Sequence, residues 1–287
     1  MKYENLFLDQ ERALYGIRDS EVVSCTFSGP ADGESALKEC RNLKVKDSCF
    51  DLRYPLWHLK KGVLERIEMT ENCRAALWYD RNIKITSSCL HGIKALRECR
   101  NVSVIDCDIV SPEFGWFCRK VDVSGGRLQS EYPFLKSSGL TLCDVKMTGK
   151  YSFQYVKGAV LKDCILDTKD AFWHAENVRL ENCIVKGEYT GWYSKNLTFV
   201  NCKIEGTQPL CYADGLVLEN CEMQGADLAF ENSDVSAVLH GNVISVKNPK
   251  SGCIRADHIG KIILDEYCAR PCLCKIVETG NKGEKTA

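Results

Sequence analysis

The sequence predicts an all-β fold, a right-handed single-stranded parallel β-helix with about 19 residues and three short strands in each coil. The first observation is a 19-residue lattice of anchor residues: Asn82, Asn101, Gly139, Gly158, Asn177, Asn196 and Gly215. The second is the similarity of the amino-acid sequences that begin at each anchor, as in NVRLENCIV and NLTFVNCKI. A period of this size is typical of a solenoid, whose repeats bury their apolar faces against one another. Three strands in one period leave no space for a helix.

Apolar residues at the first and third positions after each anchor predict a half-buried strand, because their period is two. Examples are the pairs Ile83 and Ile85, Val102 and Val104, and Val178 and Leu180. Asn or Gly at the anchor suits a tight corner, since both residues tolerate left-handed backbone angles.

The rest of each repeat contains a cysteine, a glycine and an aromatic segment. Five cysteines share the position six residues after the anchor: Cys107, Cys164, Cys183, Cys202 and Cys221. This column is interpreted as small, buried and reduced hydrophobic residues. A glycine then marks a turn, and the segments AALWY, EFGWF, AFWHA and TGWYS are predicted to form the third strand.

One domain is predicted over residues 1–287, because no linker-like stretch interrupts the repeat. Residues 1–12 are expected to cap the first coil, 13–234 to form regular coils, 235–277 to form irregular C-terminal coils or a cap, and 278–287 to be a flexible tail. Before residue 82 the anchors are placed at Asn42 and Gly62, and GPADGE is expected to be a surface loop.

Composition excludes several functional classes. The net charge of −1 gives no global preference for polyanions, so no nucleic-acid partner is expected. No apolar run approaches the roughly 18 residues of a membrane span, and no signal-peptide pattern opens the chain. These features, with eighteen cysteines interpreted as reduced, predict a cytoplasmic protein without a membrane partner.

Metal or redox chemistry has one compact candidate, the segment CARPCLC with Cys268, Cys272 and Cys274. No histidine lies near it in the sequence, and the five histidines of the chain are scattered. No metal site and no cofactor are therefore expected, and the role of the three cysteines stays open.

Several motifs resemble one bacterial family, catalogued as domain of unknown function 3737. They are ERALYG, YPLW, ALWY, DAFWHAENV, GEYTGWYSKNLTFVNCKIEG, LCYADGLVLENC and VKNPKSG, which extend over nearly the whole chain. The resemblance implies a right-handed β-helix related in fold to the pectate-lyase-like superfamily. It implies no activity and no catalytic residues, and kinship of fold does not establish function.

Two columns are candidate ligand surfaces. The first lies four residues before the anchors and contains Trp57, Trp78, Arg97, Trp116, Trp173 and Trp192. Outward indole faces would bind flat ligands such as sugar rings, whereas stacked aromatic residues also stabilise a sheet without any ligand. The second is a basic stripe one residue before the anchors, with Arg41, Lys61, Arg81, Arg100 and Arg119. It is either a solvated face, screened by Glu39, Asp80 and Glu98, or a site for an acidic ligand.

A catalytic site is harder to identify. Asp170 and Glu188 are predicted on adjacent coils beside Trp173 and Trp192, where two carboxylates would serve glycoside cleavage. No phosphate-binding loop or nucleophile elbow is present.

The leading functional hypothesis is a binding module that presents the aromatic and basic columns to an extended, acidic oligosaccharide or another acidic small ligand. The alternatives are a glycoside hydrolase or polysaccharide lyase with Asp170 and Glu188 as the acid/base pair, and a scaffold that assembles into homo-oligomers.

Overall fold

In the computed structural model of the chain, the described residues are 1–29, 35–223 and 225–280. They form turns of a parallel β-solenoid, and no helix occurs among them. The predicted all-β solenoid class with a period near 19 residues is therefore confirmed. Most of the expected GPADGE loop (residues 30–34) and most of the expected tail (281–287) lie outside the described residues. Among the described residues, no helix is sufficiently long and apolar to cross a membrane.

The contacts of the chain divide it into two compact units, Met1–Thr148 and Gly149–Ala287. The strands of the first unit, and β16 at its end, are β1 Lys2–Glu4, β2 Phe7–Leu8, β3 Arg18–Val23, β4 Thr26–Ser28, β5 Arg41–Lys46, β6 Cys49–Asp51, β7 Lys60–Glu65, β8 Glu68–Met69, β9 Arg81–Thr86, β10 Cys89–His91, β11 Arg100–Ile105, β12 Asp108–Val110, β13 Arg119–Ser124, β14 Arg127–Ser130, β15 Ser138–Cys143 and β16 Lys146–Lys150. Those of the second unit are β17 Lys157–Lys162, β18 Ile165–Lys169, β19 Glu176–Glu181, β20 Ile184–Lys186, β21 Lys195–Val200, β22 Lys203–Glu205, β23 Leu216–Glu222, β24 Asp234–Lys247, β25 Ser251–Ile263 and β26 Leu273–Glu278.

Two parallel ladders build the first unit. The odd-numbered strands from β1 to β15 pair one after another, so each coil lies directly beside the next. The short strands from β2 to β14 form the second ladder. Residues 1–12, expected as a cap, contribute β1 and β2 to these two ladders.

The second unit begins with the same two ladders, in β17, β19, β21 and β23 and in β18, β20 and β22. It then changes to the long parallel strands β24 and β25, followed by β26. Residues 235–277, expected to form irregular coils or a cap, contain most of these three strands.

The core of each unit consists of the inward side chains of the strands and of the turn segments between them. Leu43, Val45, Ile83, Ile85, Val178 and Leu180 are all buried. Phenylalanine rings from successive coils stack among them, with centroids 4.9 Å apart for Phe27 and Phe50 and 4.9 Å for Phe153 and Phe172. Each fully buried side chain of this size contributes about 1.5–3 kcal/mol, so the repeated core stabilises both units.

The anchor residues have the left-handed backbone angles that the corner was expected to require, with φ of 57° at Asn82 and 55° at Asn177. The predicted register is wrong at one coil. The structure pairs Leu43 with Gly62 and Gly62 with Ile83, so the anchor is Lys61, whose φ is 60°. The coil before Asn82 is longer than 19 residues, so the anchor lies one residue earlier than predicted. The residue types at Lys61 and Gly62 do not indicate this shift.

The aromatic segment of each coil is a chain of turns instead of the expected third strand. Every second residue is left-handed there, as at Phe172 (φ 61°) and His174 (φ 53°). The backbone amides still bond from coil to coil, since Phe172 N–H donates to Ser152 O and His174 N–H to Trp192 O. These bonds satisfy the polar backbone without an extended conformation.

The turn glycines have a steric role at Gly187 and Gly206, whose φ values are 135° and 140°. A Cβ on Gly206 would lie 2.0 Å from the carbonyl oxygen of Gly187, so no other residue fits the turn.

Candidate functional site: a basic column beside stacked aromatic rings

The indoles of the five tryptophans lie against the neighbouring coils. Each Nε1–H donates to a backbone carbonyl of the next coil at 2.5–2.8 Å. Trp57 stacks on Trp78 with ring centroids 5.1 Å apart, and Trp173 stacks on Trp192 at 5.6 Å. The rings are half-buried.

Arg97 continues the tryptophan column of the first unit. Its guanidinium carbon lies 5.0 Å from the ring centroid of Trp78 and 5.2 Å from that of Trp116. The faces of these groups therefore stack against one another. This packing favours structural stacking over a surface that binds sugar rings face to face.

A second aromatic column, three residues before the anchors, is more exposed. In the second unit Tyr155, His174, Tyr193 and Tyr212 stack in sequence, with centroids 4.8, 5.1 and 5.0 Å apart. All four residues have left-handed backbone angles, so simple strand alternation does not predict the direction of their side chains.

The basic stripe is longer than the sequence predicts, and its membership differs at one coil. Parallel pairing places Arg18, Arg41, Lys60, Arg81, Arg100 and Arg119 in one unbroken register. We call these six exposed residues the basic column. Lys60 takes the place predicted for Lys61, which occupies the anchor position. The sequence does indicate that Arg18 belongs to this column. RDSEVV, which begins at Arg18, has its arginine and its inward residues at the same positions as RNLKVK, which begins at Arg41.

The cations of the basic column lack ion-pair partners within the part of the chain that the structure describes. Other exposed cations of the first unit are paired from coil to coil: Arg66 Nε lies 2.7 Å from Asp47 and Arg127 Nε 2.8 Å from Asp108. Successive coils are about 4.8 Å apart, so the six charges extend over about 24 Å. Mutual repulsion at this spacing favours a bound anion.

The second unit supplies an internal comparison. There the same repeat position carries Lys157, Glu176, Lys195 and Asp214 in register, so the sign of the charge alternates. Lys157 Nζ lies 3.2 Å from Glu176. Among the described residues, the run of unpaired cations is thus confined to the first unit and does not follow from the repeat itself.

Two shallow grooves border the basic column and share Arg81. The larger, of about 490 Å³, is lined by Tyr79, Arg81, Glu98, Cys99, Arg100, Phe117 and Arg119. The other, of about 420 Å³, is lined by Asp19, Arg41, Asn42, Lys60, Lys61, Arg81 and Asn82. Cations predominate in both, and the planar guanidinium groups suit carboxylate ligands.

Asp80 does not screen the basic column, contrary to the expectation from its position beside Arg81. Its carboxyl is fully buried, and burial raises its pKa well above the ordinary value of 3.8. Oδ1 accepts from Leu59 N–H at 2.8 Å, whereas Oδ2 has no hydrogen-bond partner among the described residues. The column of Asp80 contains Cys40, Cys99, Cys118 and Ser137 in other coils, and all four are buried.

Replacing Asp80 with serine is expected to stabilise the protein by about 1–3 kcal/mol, because an unsatisfied buried oxygen is removed. Ser137 shows that a hydroxyl fits, since its Oγ accepts from Cys118 N–H at 2.9 Å. The difference in stability between the serine variant and the wild type grows as pH rises above about 4. The folded wild type keeps the Asp80 proton because its pKa is raised, whereas the unfolded chain releases it, so the wild type loses stability. Urea unfolding between pH 4 and 8 measures it.

Asp80→Ala is the control for this substitution, since it removes the carboxyl and also the acceptor for Leu59 N–H. Its gain should be smaller than that of Asp80→Ser. A serine variant that is less stable than wild type, or equally stabilised at every pH, would contradict the assignment of a buried, protonated carboxyl with an unsatisfied oxygen.

The predicted catalytic residues lie on adjacent coils of the second unit, as expected. Asp170 is 6% exposed, and burial raises the pKa of its carboxyl. The charges of Lys169 and Lys150 oppose part of this rise, and that of Glu188 adds to it. Glu188 is half-buried and forms an ion pair with Lys169, at 2.6 Å. The two carboxyls thus have different environments. Such a difference is needed where one carboxyl serves as general acid and the other as base or nucleophile.

The cysteines of the predicted column are buried; Cys183 and Cys202, for example, are 1% and 2% exposed. At the C-terminal end Cys268, Cys272 and Cys274 are half-buried. Burial raises the pKa of Cys274 to about 12, and the thiols of Cys272 and Cys253 add to this rise.

The structure assembles a further group that sequence analysis missed, namely Cys89, His91 and Asp108. Asp108 is distant from the other two in sequence but lies beside Cys89 on the next coil. The 19-residue period predicts that Asp108 lies beside Cys89, because the two residues are one period apart.

Comparison with solved structures finds limited similarity. The chain is 14% identical to HetL, a pentapeptide repeat protein involved in heterocyst differentiation regulation from the cyanobacterium Nostoc, with 78% of this chain and 92% of that chain covered and a TM-score of 0.32. It is 10% identical to the A-module of the mannuronan C-5 epimerase AlgE4 from Azotobacter vinelandii, with 97% and 89% covered and a TM-score of 0.33. These values support no inference about activity or ligand.

Among curated proteins, none matches the chain. One family profile does, over residues 1–277, and its description is "Protein of unknown function (DUF3737)". The match covers nearly the whole length and agrees with the motifs from ERALYG to VKNPKSG. The chain therefore belongs to the DUF3737 family.

Proposed function

We propose that the protein is a binding module for an extended acidic oligosaccharide, a chain of uronate residues, which lies along the basic column of the first unit. The observation that carries the proposal is the register of six exposed cations without ion-pair partners among the described residues. Five of them are arginines, which bind carboxylates with two parallel hydrogen bonds.

The shape of the site supports an extended ligand over a compact one. The two grooves share Arg81, and together their linings include Arg41, Lys60, Arg81, Arg100 and Arg119 from five coils of the basic column. A chain whose carboxylates recur near the 4.8 Å coil spacing would contact one cation per coil. In the larger groove Tyr79 and Phe117 also border the arginines, where ring edges would pack against the apolar faces of a sugar.

Oligouronates of two to eight residues are expected to bind the purified protein with an affinity that rises with length up to about six residues and falls with added salt. Arg100→Ala should weaken binding by about ten- to a hundredfold, because a charge-assisted hydrogen bond contributes about 1.5–3 kcal/mol. Titration calorimetry at two salt concentrations measures both effects.

Arg127→Ala is the matched control, since Arg127 is another exposed arginine of the same unit and already forms an ion pair with Asp108. It should leave the affinity unchanged, and neutral oligosaccharides of the same length should not bind. Equal losses in the two variants would reject the basic column as the site. Tighter binding of a single-stranded oligonucleotide than of any oligouronate would reject the saccharide as its ligand.

A second candidate function is a glycoside hydrolase or lyase activity at Asp170 and Glu188. It is favoured by one observation, the buried Asp170 carboxyl of raised pKa beside the ion-paired Glu188. In a hydrolase of this kind, the protonated acid donates to the leaving oxygen while the other carboxylate attacks or activates water. Mass spectrometry of the same oligouronate incubations distinguishes the functions, because a binding module leaves the chain lengths unchanged.

A further inference from the structure

The short strands of the first unit bring three metal-ligating residue types to one place on the outer surface. Cys89 and His91 are the first and last residues of β10, and alternation in a strand directs such residues to the same face. Asp108 opens β12 and is paired in register with Cys89. The face is thus assembled from two successive coils.

The distances between the ligand atoms suit a metal ion. The Cys89 sulfur, a ring nitrogen of His91 and a carboxylate oxygen of Asp108 all lie within 4.8 Å of one another. His91 Nε2 and Asp108 Oδ2 are 3.1 Å apart. A tetrahedral ion with bonds of about 2.0–2.3 Å holds its ligands about 3.3–3.8 Å apart, so small side-chain rotations complete the site.

A positioning group for the carboxylate is already in place. Arg127, on the next coil, donates from Nε to Asp108 Oδ1 at 2.8 Å and from Nη2 to Oδ2 at 3.2 Å. Such outer contacts orient a ligand and keep it from rotating away. The bound arginine also offsets part of the negative charge that a thiolate and a carboxylate would bring together.

We propose that Cys89, His91 and Asp108 form a binding site for Zn²⁺ or a similar first-row transition metal ion. One sulfur, one nitrogen and one oxygen donor favour these ions over Mg²⁺ or Ca²⁺, which prefer oxygen alone. All three side chains are half-buried, so the fourth position of a tetrahedral ion faces solvent and takes water or an exogenous ligand.

Titration of the reduced protein with Co²⁺ tests the site, since a bound thiolate produces an absorption band that free Co²⁺ lacks. One equivalent is expected to generate the band, and Zn²⁺ should displace it. Cys89→Ser should abolish the band, and His91→Ala should weaken Co²⁺ binding at least tenfold. Arg127→Gln should weaken it about tenfold through the loss of a ligand-orienting contact.

The chain provides two thiol controls. Cys49→Ser removes a half-buried cysteine of the same outward column, because Cys49 pairs with Glu68 and Glu68 with Cys89. Cys272→Ser removes a thiol from the C-terminal group. Both variants should retain the band. Absence of the band in wild type, or its persistence in a folded Cys89→Ser variant, would overturn the proposal.

Discussion

Leu180→Asp is expected to unfold the second unit or to drive the chain into aggregates. Leu180 is 0% exposed and is paired in register with Leu161 and Phe199 on the two adjacent coils. Removing a buried leucine costs about 2–5 kcal/mol, and the new carboxyl must be buried without a partner. The sum approaches the whole stability of a typical domain, about 5–15 kcal/mol. Circular dichroism during heating and size-exclusion chromatography measure the loss.

Val160→Asp is the control, because it introduces the same side chain one coil earlier at an outward position. Val160 is 43% exposed and is paired with Arg179, which would face the new carboxylate. Its melting temperature should stay within a few degrees of wild type. A soluble Leu180→Asp variant that melts cooperatively like wild type would contradict the inward assignment of this position.

Trp78→Ala is expected to lower the free energy of unfolding by about 3 kcal/mol, towards the lower end of values for a buried aromatic residue. The substitution removes the stacking contacts with Trp57 and Arg97. It also removes the donor to Lys94 O, which lies 2.8 Å from Nε1. Urea unfolding followed by far-ultraviolet circular dichroism provides the measurement.

Two variants separate stacking from ligand binding. Trp78→Phe keeps a ring between Trp57 and Arg97 and should recover most of the stability. Tyr267→Ala truncates an aromatic side chain that is 75% exposed and should change little. If Trp78→Ala left the stability intact but abolished oligouronate binding, the tryptophan column would be a ligand surface, and the stacking interpretation would be wrong.

Most of the fold could be predicted from the repeat. Period-two alternation identified the buried pairs such as Val178 and Leu180, and the Asn/Gly anchors identified the left-handed corners. Prediction failed where the local pattern carried little information. At Lys60 and Lys61 two lysines in a longer coil hid the register, and in the aromatic segments left-handed residues replaced the expected strand.

The candidate sites were predictable only in part. Arg41, Arg81, Arg100 and Arg119 were found because one column repeats one residue type. Three features were not predictable. They are the absence of ion-pair partners for the basic column among the described residues, the burial of the Asp80 carboxyl, and the cluster of Cys89, His91 and Asp108. All three depend on which side chains meet across coils and on how far each is buried.

The physical reason lies in two kinds of interaction. Backbone hydrogen bonds between coils and burial of every second side chain follow from residue type and spacing. The 19-residue spacing that includes Asn82 and Asn177 is therefore sufficient to predict the solenoid. Pairing of charges and the state of a carboxyl depend on distances of a few ångströms and on local burial. The repeat therefore specified the scaffold. The stacked coils decided that Asp80 is buried, that the basic column has no ion-pair partner among the described residues, and that Cys89 meets His91 and Asp108.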